Sequence, residues 1–246
     1  MASTESRSGI AEPRDGRTTP MDWLFTLFPP TKLSGEEAVR RSDWSPMAER
    51  EYCARCGVNV PAVARLPDGC PHCHDKKIAW NSAWKLGPYA EPLSTWVRDC
   101  KFHSMFTWSV WFGRALARRT PGFENSIVTP VPLHWLRRTL RGYDQSRLMA
   151  RAFAREKSVP MRRLLRRVKA TKQQALIPSP LQRKLNVRNA FRLRGNPDLA
   201  GKTIWLIDDV KTSGATAHAC TRLLLRAGAK RVNLVVAAVA EPRRNA

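Results

Sequence analysis

Four cysteines in two closely spaced pairs form the first group of residues that could do chemistry. Cys53 and Cys56 make one Cys-x2-Cys pair, and Cys70 and Cys73 make a second after thirteen intervening residues. Two residues between cysteines let both sulfurs converge on one ion, and four thiolates favour tetrahedral Zn²⁺ in a closed, structural shell. The spacing predicts a structural zinc site. An iron–sulfur cluster, or four unrelated buried thiols, are the alternatives.

The other cysteines and the neighbouring histidines bear on the same prediction. His72 and His74 flank Cys73, and either could replace a cysteine as ligand, but the symmetry of the two pairs favours four cysteines. Cys100 and Cys220 lie in apolar helical patterns and are expected in the core. In a reducing cytoplasm, paired cysteines of this spacing indicate metal binding rather than disulfides.

A strand, two carboxylates and a hydroxyl-rich loop form the second group. The apolar run Thr203–Ile207 leads into Asp208 and Asp209, and the loop Lys211–Thr216 follows, where a helix begins. Backbone N–H groups at a helix N-terminus bind anions, and Gly214 lets the backbone approach a ligand closely. The carboxylates would repel a phosphate but suit sugar hydroxyls, so a ribose 5-phosphate satisfies both halves. The alternative is that the two aspartates only cap a helix.

The elements that must position these groups are predicted from hydrophobic periodicity. Continuous apolar strands separated by a helix indicate a parallel sheet covered on both faces, and therefore an α/β fold. Predicted strands cover Ser126–Pro132, Leu164–Val168, Thr203–Ile207 and Arg231–Val239, and predicted helices cover Leu93–Cys100, Trp108–Leu116, Tyr143–Lys157 and Ala215–Ala227. Thr171–Arg188 is predicted to be a long loop. The tryptophans of the second helix are expected on its core face, with a base-stacking platform as the alternative.

Composition divides the chain into three parts. Residues 1–20 are predicted to be a disordered tail, residues 21–85 an apolar leader with the four-cysteine zinc module, and residues 86–246 the α/β domain. Within the second part, residues 31–50 are polar and are expected to form a loop or a short helix. No run of about eighteen apolar residues exists, so no membrane-spanning helix is expected, and a cytoplasmic location is the default.

Positive charge is concentrated in one third of the chain. The formal net charge is +23, and the stretch from Arg114 to Arg194 holds 21 lysines and arginines against three acidic residues. This excess predicts attraction to a polyanion such as nucleic acid, phosphorylated metabolites or an anionic membrane. The alternative is a solvated basic surface. The interpretation as a groove for single-stranded nucleic acid rests on Arg137, Arg138, Arg141, Arg183, Lys184 and Arg188.

The strand, the acid pair and the loop from Thr212 to Thr216 resemble the fingerprint of type I phosphoribosyltransferases. Together with the cysteine module, they resemble the competence-associated ComF family in particular. Further similar segments are Phe28–Pro30, Pro130–His134, Arg141–Ser146 and Gln174–Phe191, so the resemblance covers roughly residues 21–240. Two departures are the 22 residues from Thr31 to Tyr52 that precede the first cysteine, and Thr-Ser-Gly where Thr-Thr-Gly is commoner.

The resemblance implies a phosphoribosyltransferase-like parallel sheet after a small zinc-ribbon-like module. It also implies binding of 5-phosphoribosyl-1-pyrophosphate (PRPP) with Mg²⁺. Asp208 and Asp209 would contact the ribose hydroxyls, while Pro132 and Leu133 would face the pyrophosphate. The 5-phosphate would be held by Lys211, Thr212, Ser213, Gly214, Ala215 and Thr216. In biology, the family implies cytoplasmic handling of single-stranded DNA during natural transformation, with competence proteins as partners.

Two other functions stay open at this point. One is an active phosphoribosyltransferase of nucleotide salvage or cofactor metabolism, and the other is a PRPP-sensing regulator without turnover. The sequence identifies no catalytic residue and no acceptor. His134 and His218 are the titratable candidates near the predicted site, and a structural role is the commoner one for a single histidine. The zinc module is a candidate for the place where other phosphoribosyltransferases carry an acceptor-reading hood.

Overall fold

A four-stranded parallel sheet lies at the centre of the fold. The computed structural model describes residues 35–66, 68–102, 105–122, 124–134, 142–169, 177 and 179–242, which all belong to the compact unit Ser34–Ala246. Its strand order is β1-β6-β5-β2. The strands are β1 (Ser82–Pro88), β2 (Ser126–Pro130), β5 (Thr203–Lys211) and β6 (Arg231–Val239). All three strand pairs are parallel, which confirms the predicted sheet.

The sheet has a core on each face, and its strands contribute to both cores because successive strand residues point in opposite directions. On β5, Ile204 and Leu206 pack into the core that contains Leu224 and the four cysteines. Trp205 and Ile207 pack into the opposite core, which contains Phe112 and Phe153. A buried strand between two layers is therefore apolar on both faces, as β6 is from Leu234 to Val239.

Six helices are described. They are α1 (Gly35–Arg40), α2 (Leu93–Phe102), α3 (Thr107–Arg119), α4 (Gln145–Glu156), α5 (Pro180–Asn186) and α6 (Ala215–Arg226). The four helices predicted from periodicity are confirmed as α2, α3, α4 and α6. None of the helices in the described ranges has both the length and the apolar character needed to span a bilayer.

Three elements differ from the predictions. Strand β5 runs four residues beyond Ile207, because its pairing with β6 continues to Lys211 and Val239. The predicted loop Thr171–Arg188 is wrong over α5, which begins with the capping side chain of Ser179 and with Pro180 in its first turn. Strand β1 was not predicted. It crosses the domain boundary that the sequence placed after residue 85.

A small antiparallel sheet accompanies the main one. It pairs β3 (Leu165–Arg167), which confirms the predicted short strand, with β4 (Phe191–Leu193). The segment before β3 lies along the outer strand β2: Val128 donates to the carbonyl of Pro160 at 2.9 Å and accepts from the amide of Arg162 at 2.9 Å. Of the other predicted segments, the tail (residues 1–20) and the leader's first residues (21–34) lie outside the described residues.

The residues that separate the leader from the first cysteine pack onto the sheet and its helices. Helix α1 confirms a short helix within residues 31–50. Trp44 joins an aromatic cluster with Trp96, at 5.1 Å between ring centroids, and the amide of Met47 donates to the carbonyl of Leu86 on β1 at 2.7 Å. Because β1 is an outer strand, this segment covers part of its free edge.

Burial of the tryptophans confirms their prediction as core residues. Trp96 and Trp108 are both buried, and their rings stack at 4.5 Å with an interplanar angle of 14°. Trp111 is half-buried and packs edge-on against Trp108. Rings that stack on one another in a core are not available as a platform for nucleic-acid bases.

Helices α3 and α4 approach closely at Gly113, and this contact generates a stability prediction. A Cβ atom at residue 113 would overlap the carbonyl oxygen of Met149 and lie 2.8 Å from the Cβ of Ala152. Although alanine is the better helix former, we expect Gly113→Ala to lower the free energy of unfolding by about 2 kcal/mol, because overpacking forces the helices apart. Urea denaturation measures the change.

Gly122→Ala is the matched control, because no atom lies within 4 Å of a Cβ at that position. We expect its free energy of unfolding to stay at the wild-type value or to rise slightly. An equal loss in both variants would contradict the interpretation of Gly113 as a packing position.

Candidate functional site

A cavity of about 190 Å³ lies at the carboxyl ends of β5 and β6. Ligands of open α/β sheets bind at this edge, where strands lead into loops. The sequence-predicted residues Asp208, Asp209 and the loop Lys211–Thr216 line the cavity, together with Pro132 and Leu133 after β2. The structure therefore brings the two predicted halves of the phosphate site together, and what they bind stays a prediction.

The loop from Lys211 to Thr216, called the phosphate loop below, turns at Gly214. This residue has a φ of +76° and is the N-cap of α6. The amide of His218 donates to the carbonyl of Gly214 at 2.8 Å and closes the first turn of the helix. A side chain at residue 214 would be strained at this φ and would also overlap the indole of Trp80. The first residues of α6, from Ala215 to Ala217, line the cavity, and the N-terminus of a helix is a common place for anion binding.

The two aspartates have different partners. Asp208 accepts a hydrogen bond from the Ser146 hydroxyl at 3.2 Å, and Asp209 forms an ion pair with Lys101 at 3.1 Å. Burial, followed by the neighbouring charge of Asp209, raises the pKa of Asp208 to about 7. Perturbed acids of this kind are typical of functional sites.

Among the cavity-lining residues that the sequence did not assign to the site, five are polar or charged. They are Tyr89, Lys101, Gln145, Ser146 and Arg167. Gln145 and Ser146 belong to a segment that the family resemblance included without a role, and Arg167 belongs to the basic stretch. Its guanidinium lies over the ring of Phe191 at 5.3 Å. Tyr89 and Lys101 reach the cavity through tertiary packing, which no local sequence pattern indicates.

The two histidine candidates lie elsewhere. His134 is buried and His218 is half-buried. Neither side chain lines the cavity, although both residues are close to it in sequence. A direct role for either histidine in proton transfer at the cavity therefore has no support in the geometry.

The four cysteines of the two pairs meet in one buried cluster. Their sulfur atoms all lie within 4.8 Å of one another, with 3.8 Å between Cys53 and Cys73 and 3.6 Å between Cys56 and Cys70. His72 and His74 do not belong to the cluster, and His74 pairs with Asp75 at 2.9 Å instead. Four thiol sulfurs at these distances could hold one metal ion.

The chemistry of the donor set fits a cation. Burial raises the pKa of the Cys56 thiol and raises that of Cys70 to about 11, so these two groups would not ionise unaided near neutral pH. The pKa of Cys73 is lowered, although burial acts in the opposite direction, by hydrogen bonds from the Cys70 backbone and from the neighbouring thiols. A divalent ion offsets the charge of the thiolates that bind it. The module that carries the cysteines is also anchored to the sheet, since the amide of Asn59 donates to the Glu241 carboxylate at 3.2 Å.

A buried lysine completes this anchor. Lys85 on β1 donates to the side-chain oxygen of Asn59, and its Nζ lies 3.4 Å from the Glu241 carboxylate. Burial lowers the pKa of Lys85 to about 8. The ammonium also lies 5.2 Å from the centre of the Tyr52 ring. The cysteine module, the middle of β1 and the residues that follow β6 therefore meet at one ionic contact.

The structure does not describe the side chains of most residues that were predicted to bind nucleic acid. Arg137, Arg138 and Arg141 are not among the described residues, and for Arg183 and Lys184 only the backbone in α5 is described. Arg188 is exposed after α5. Among the other arginines of the basic stretch, Arg162, Arg163 and Arg166 are exposed as well. These four arginines are open to solvent around β3 and α5.

Comparisons with known proteins identify the domain and its relatives. Residues 109–245 match the family described as "Phosphoribosyl transferase domain". Competence protein F of Haemophilus influenzae is 30% identical over 196 residues, which cover 74% of this chain and 82% of that protein. The DNA utilization protein YhgH of Escherichia coli K12 is 32% identical over 195 residues, covering 76% of this chain and 83% of that protein.

A solved structure is similar over a shorter span. The glutamine PRPP amidotransferase of B. subtilis is similar over 52% of this chain and 25% of its own, with 20% identity and a TM-score of 0.37. The match of more than half of the chain to the domain family, and the identity to Competence protein F over four fifths of that protein, confirm the resemblance found in the sequence. This chain belongs to the competence protein F family and carries a phosphoribosyl transferase domain.

Proposed function

We propose that this protein binds PRPP with Mg²⁺ in the cavity and handles single-stranded DNA in the cytoplasm during natural transformation. One observation carries the first half: the acid pair, the phosphate loop and the Pro132–Leu133 segment line the same cavity. These parts match a sugar with two hydroxyls, a phosphate at one end and a pyrophosphate at the other. The second half draws on the basic stretch and on relatives named for competence and DNA utilization.

The phosphate loop suits the 5-phosphate. Gly214 presents backbone rather than a side chain, and Thr212, Ser213 and Thr216 add hydroxyl donors at the wall of the cavity. The twelve-residue helix α6 directs its positive end at the same place. Serine in place of the commoner threonine at residue 213 keeps the hydroxyl, so the departure from the family pattern leaves phosphate binding intact.

The acid pair suits the ribose hydroxyls and the magnesium complex. Ionised carboxylates accept hydrogen bonds from both hydroxyls, and oxygen atoms of this type are the ligands that Mg²⁺ prefers. When bound, Mg²⁺ neutralises charge on the pyrophosphate. The ion pair of Lys101 with Asp209 offsets part of the negative charge of the two carboxylates. The pair can therefore face an anionic ligand at low electrostatic cost.

Replacing both aspartates tests the proposed ligand site. We expect the wild-type chain to bind PRPP with Mg²⁺ saturably, and Asp208→Asn/Asp209→Asn to weaken binding by at least about tenfold, because neutral amides lose the charge-assisted bonds to the hydroxyls. Isothermal titration calorimetry measures both affinities. Assaying pyrophosphate release with added nucleobases shows whether an acceptor is used.

Asp43→Asn is the matched control, since Asp43 is exposed and lies outside the cavity. Its affinity is expected to equal that of the wild type. A folded, metal-loaded wild type that shows no heat of binding would refute the PRPP proposal, as would unchanged binding by the double variant.

The four-cysteine cluster is proposed to hold a structural Zn²⁺. We expect Cys56→Ser to reduce zinc from about one ion per chain to nearly none and to lower the melting temperature, because a tetrahedral thiolate site stabilises the fold that brings its ligands together. Elemental analysis and thermal denaturation measure the two effects. Iron with visible absorbance in place of zinc would indicate the iron–sulfur alternative.

Cys220→Ser serves as the comparison, because Cys220 is equally buried but lies outside the cluster. It is expected to retain its zinc. If Cys56→Ser keeps full zinc content and the wild-type melting temperature, the assignment of this cluster as a metal site is wrong.

Single-stranded DNA is proposed to bind along the basic stretch near α5. Replacing Arg183, Lys184 and Arg188 by alanine should weaken binding of a thymidine oligonucleotide. It should also reduce the slope of log K against log salt by about 2, because each phosphate contact on a single strand contributes roughly 0.7 to that slope. Fluorescence anisotropy between low and moderate salt measures both quantities.

The control removes the same charge at another place, by replacing Arg222, Arg226 and Lys230, which are exposed on and just after α6. Its affinity and salt slope are expected to change much less. Equal effects of both triple variants would show attraction to net charge only, and binding that is absent or insensitive to salt would refute the DNA proposal.

A further inference from the structure

Trp80 lies between the four-cysteine cluster and the phosphate loop. It is only 5% exposed and belongs to the same core as the cysteines and the first turn of α6. The residue precedes β1 and the matched domain, and it does not line the cavity itself. Its two ends contact two different parts of the molecule.

The polar end of Trp80 contacts the cysteine module. Its indole Nε1–H donates to the carbonyl oxygen of Arg55 at 2.8 Å, and Arg55 stands between the cysteines of the first pair. The Arg55 guanidinium in turn donates to the carbonyls of Asp68 at 2.6 Å and of Cys73 at 2.8 Å. Arg55, whose backbone carbonyl Trp80 contacts, therefore links the first cysteine pair to the segment that carries the second.

The apolar end of Trp80 contacts the turn of the phosphate loop. Its Cη2 atom would lie 2.7 Å from a Cβ at residue 214, so the six-membered ring packs directly against the Cα of Gly214. Gly214 holds the left-handed conformation from which α6 begins. A rigid ring against this Cα restricts the alternative backbone conformations that glycine otherwise samples.

We propose that Trp80 is a positioning residue through which the metal-filled cysteine cluster holds the phosphate loop in its anion-binding conformation. Without metal, the first cysteine pair loses the bonds that fix the Arg55 carbonyl, the indole loses its anchor, and the turn at Gly214 loosens. Metal occupancy therefore sets the affinity for the phosphate end of the ligand. The dependence on metal rests on the proposed zinc site and the effect on affinity rests on the proposed ligand, whereas the contact of Trp80 with Gly214 exists without either.

Hydrogen–deuterium exchange of the zinc-loaded chain tests the contact directly. In Trp80→Phe, which lacks the N–H group and the outer ring, we expect amides in a peptide spanning residues 211–220 to exchange about tenfold faster, while peptides of β5 upstream of the loop stay protected. Trp80→Leu should act in the same direction. Zinc content and melting temperature are measured alongside, to show that both variants are folded and loaded.

Trp84→Phe is the matched control. Its indole N–H also donates a hydrogen bond, at 2.9 Å, but to the Ser82 hydroxyl of its own strand. Exchange in residues 211–220 is expected to equal that of the wild type. Removing the metal from the full chain with a chelator should reproduce the Trp80→Phe pattern in the same peptide.

The expected ligand effect is a loss of PRPP affinity of about tenfold in Trp80→Phe, in the range seen when residues that support a site are removed. Unchanged exchange at residues 211–220 in both Trp80 variants, or after chelation, would overturn the proposal. If the wild type binds no PRPP and the Trp80 variants still exchange faster at residues 211–220, the contact is supported and the proposed ligand is refuted. The two failures are therefore distinguishable.

Discussion

The hydrogen bonding between β5 and β6 is the constraint on which the rest of the site depends. This pairing begins in the apolar core at Thr203 and Arg231 and continues without a change of direction to Lys211 and Val239. The strand therefore extends past the apolar run Thr203–Ile207 and holds Asp208 and Asp209 in regular backbone geometry near its carboxyl end. The phosphate loop begins where this pairing ends, so the sheet sets the distance between acids and loop.

Burying the Asp208 carboxyl costs free energy, which hydrogen bonds from neighbouring residues reduce but do not remove. The Ser146 hydroxyl and the backbone amide of Asp209 donate to Asp208, at 3.2 and 2.9 Å, yet burial still dominates its titration. A protein selected for stability alone would place an apolar residue here. Such a cost is typical of ligand-binding positions, where a residue that lowers stability is kept because function requires it.

The parts of the fold that depend on local pattern could be predicted from the sequence. Between Thr203 and Val239, apolar runs predict the two strands and a 3.6-residue period predicts the helix. The spacing of the cysteine pairs predicts that the four sulfurs come together. Strand β1 could not be predicted because Lys85 interrupts its apolar pattern, and only tertiary contacts with Asn59 and Glu241 make that buried position favourable. Helix α5 did carry a local signal, Ser179 followed by proline, within a segment rich in loop-forming residues. Lys101 reaches Asp209 through packing of α2, which no spacing in the chain encodes.

Both outer strands of the parallel sheet have neighbours on their free sides. The amide of Met47 bonds to Leu86 on β1, and Pro160 and Arg162 bond to Val128 on β2. Strand addition, the usual way in which sheets recruit extended peptides or join copies of themselves, would have to displace these segments first. Within the described residues, the surfaces left for an assembly are therefore helical faces and loops, where side chains rather than backbone select the partner.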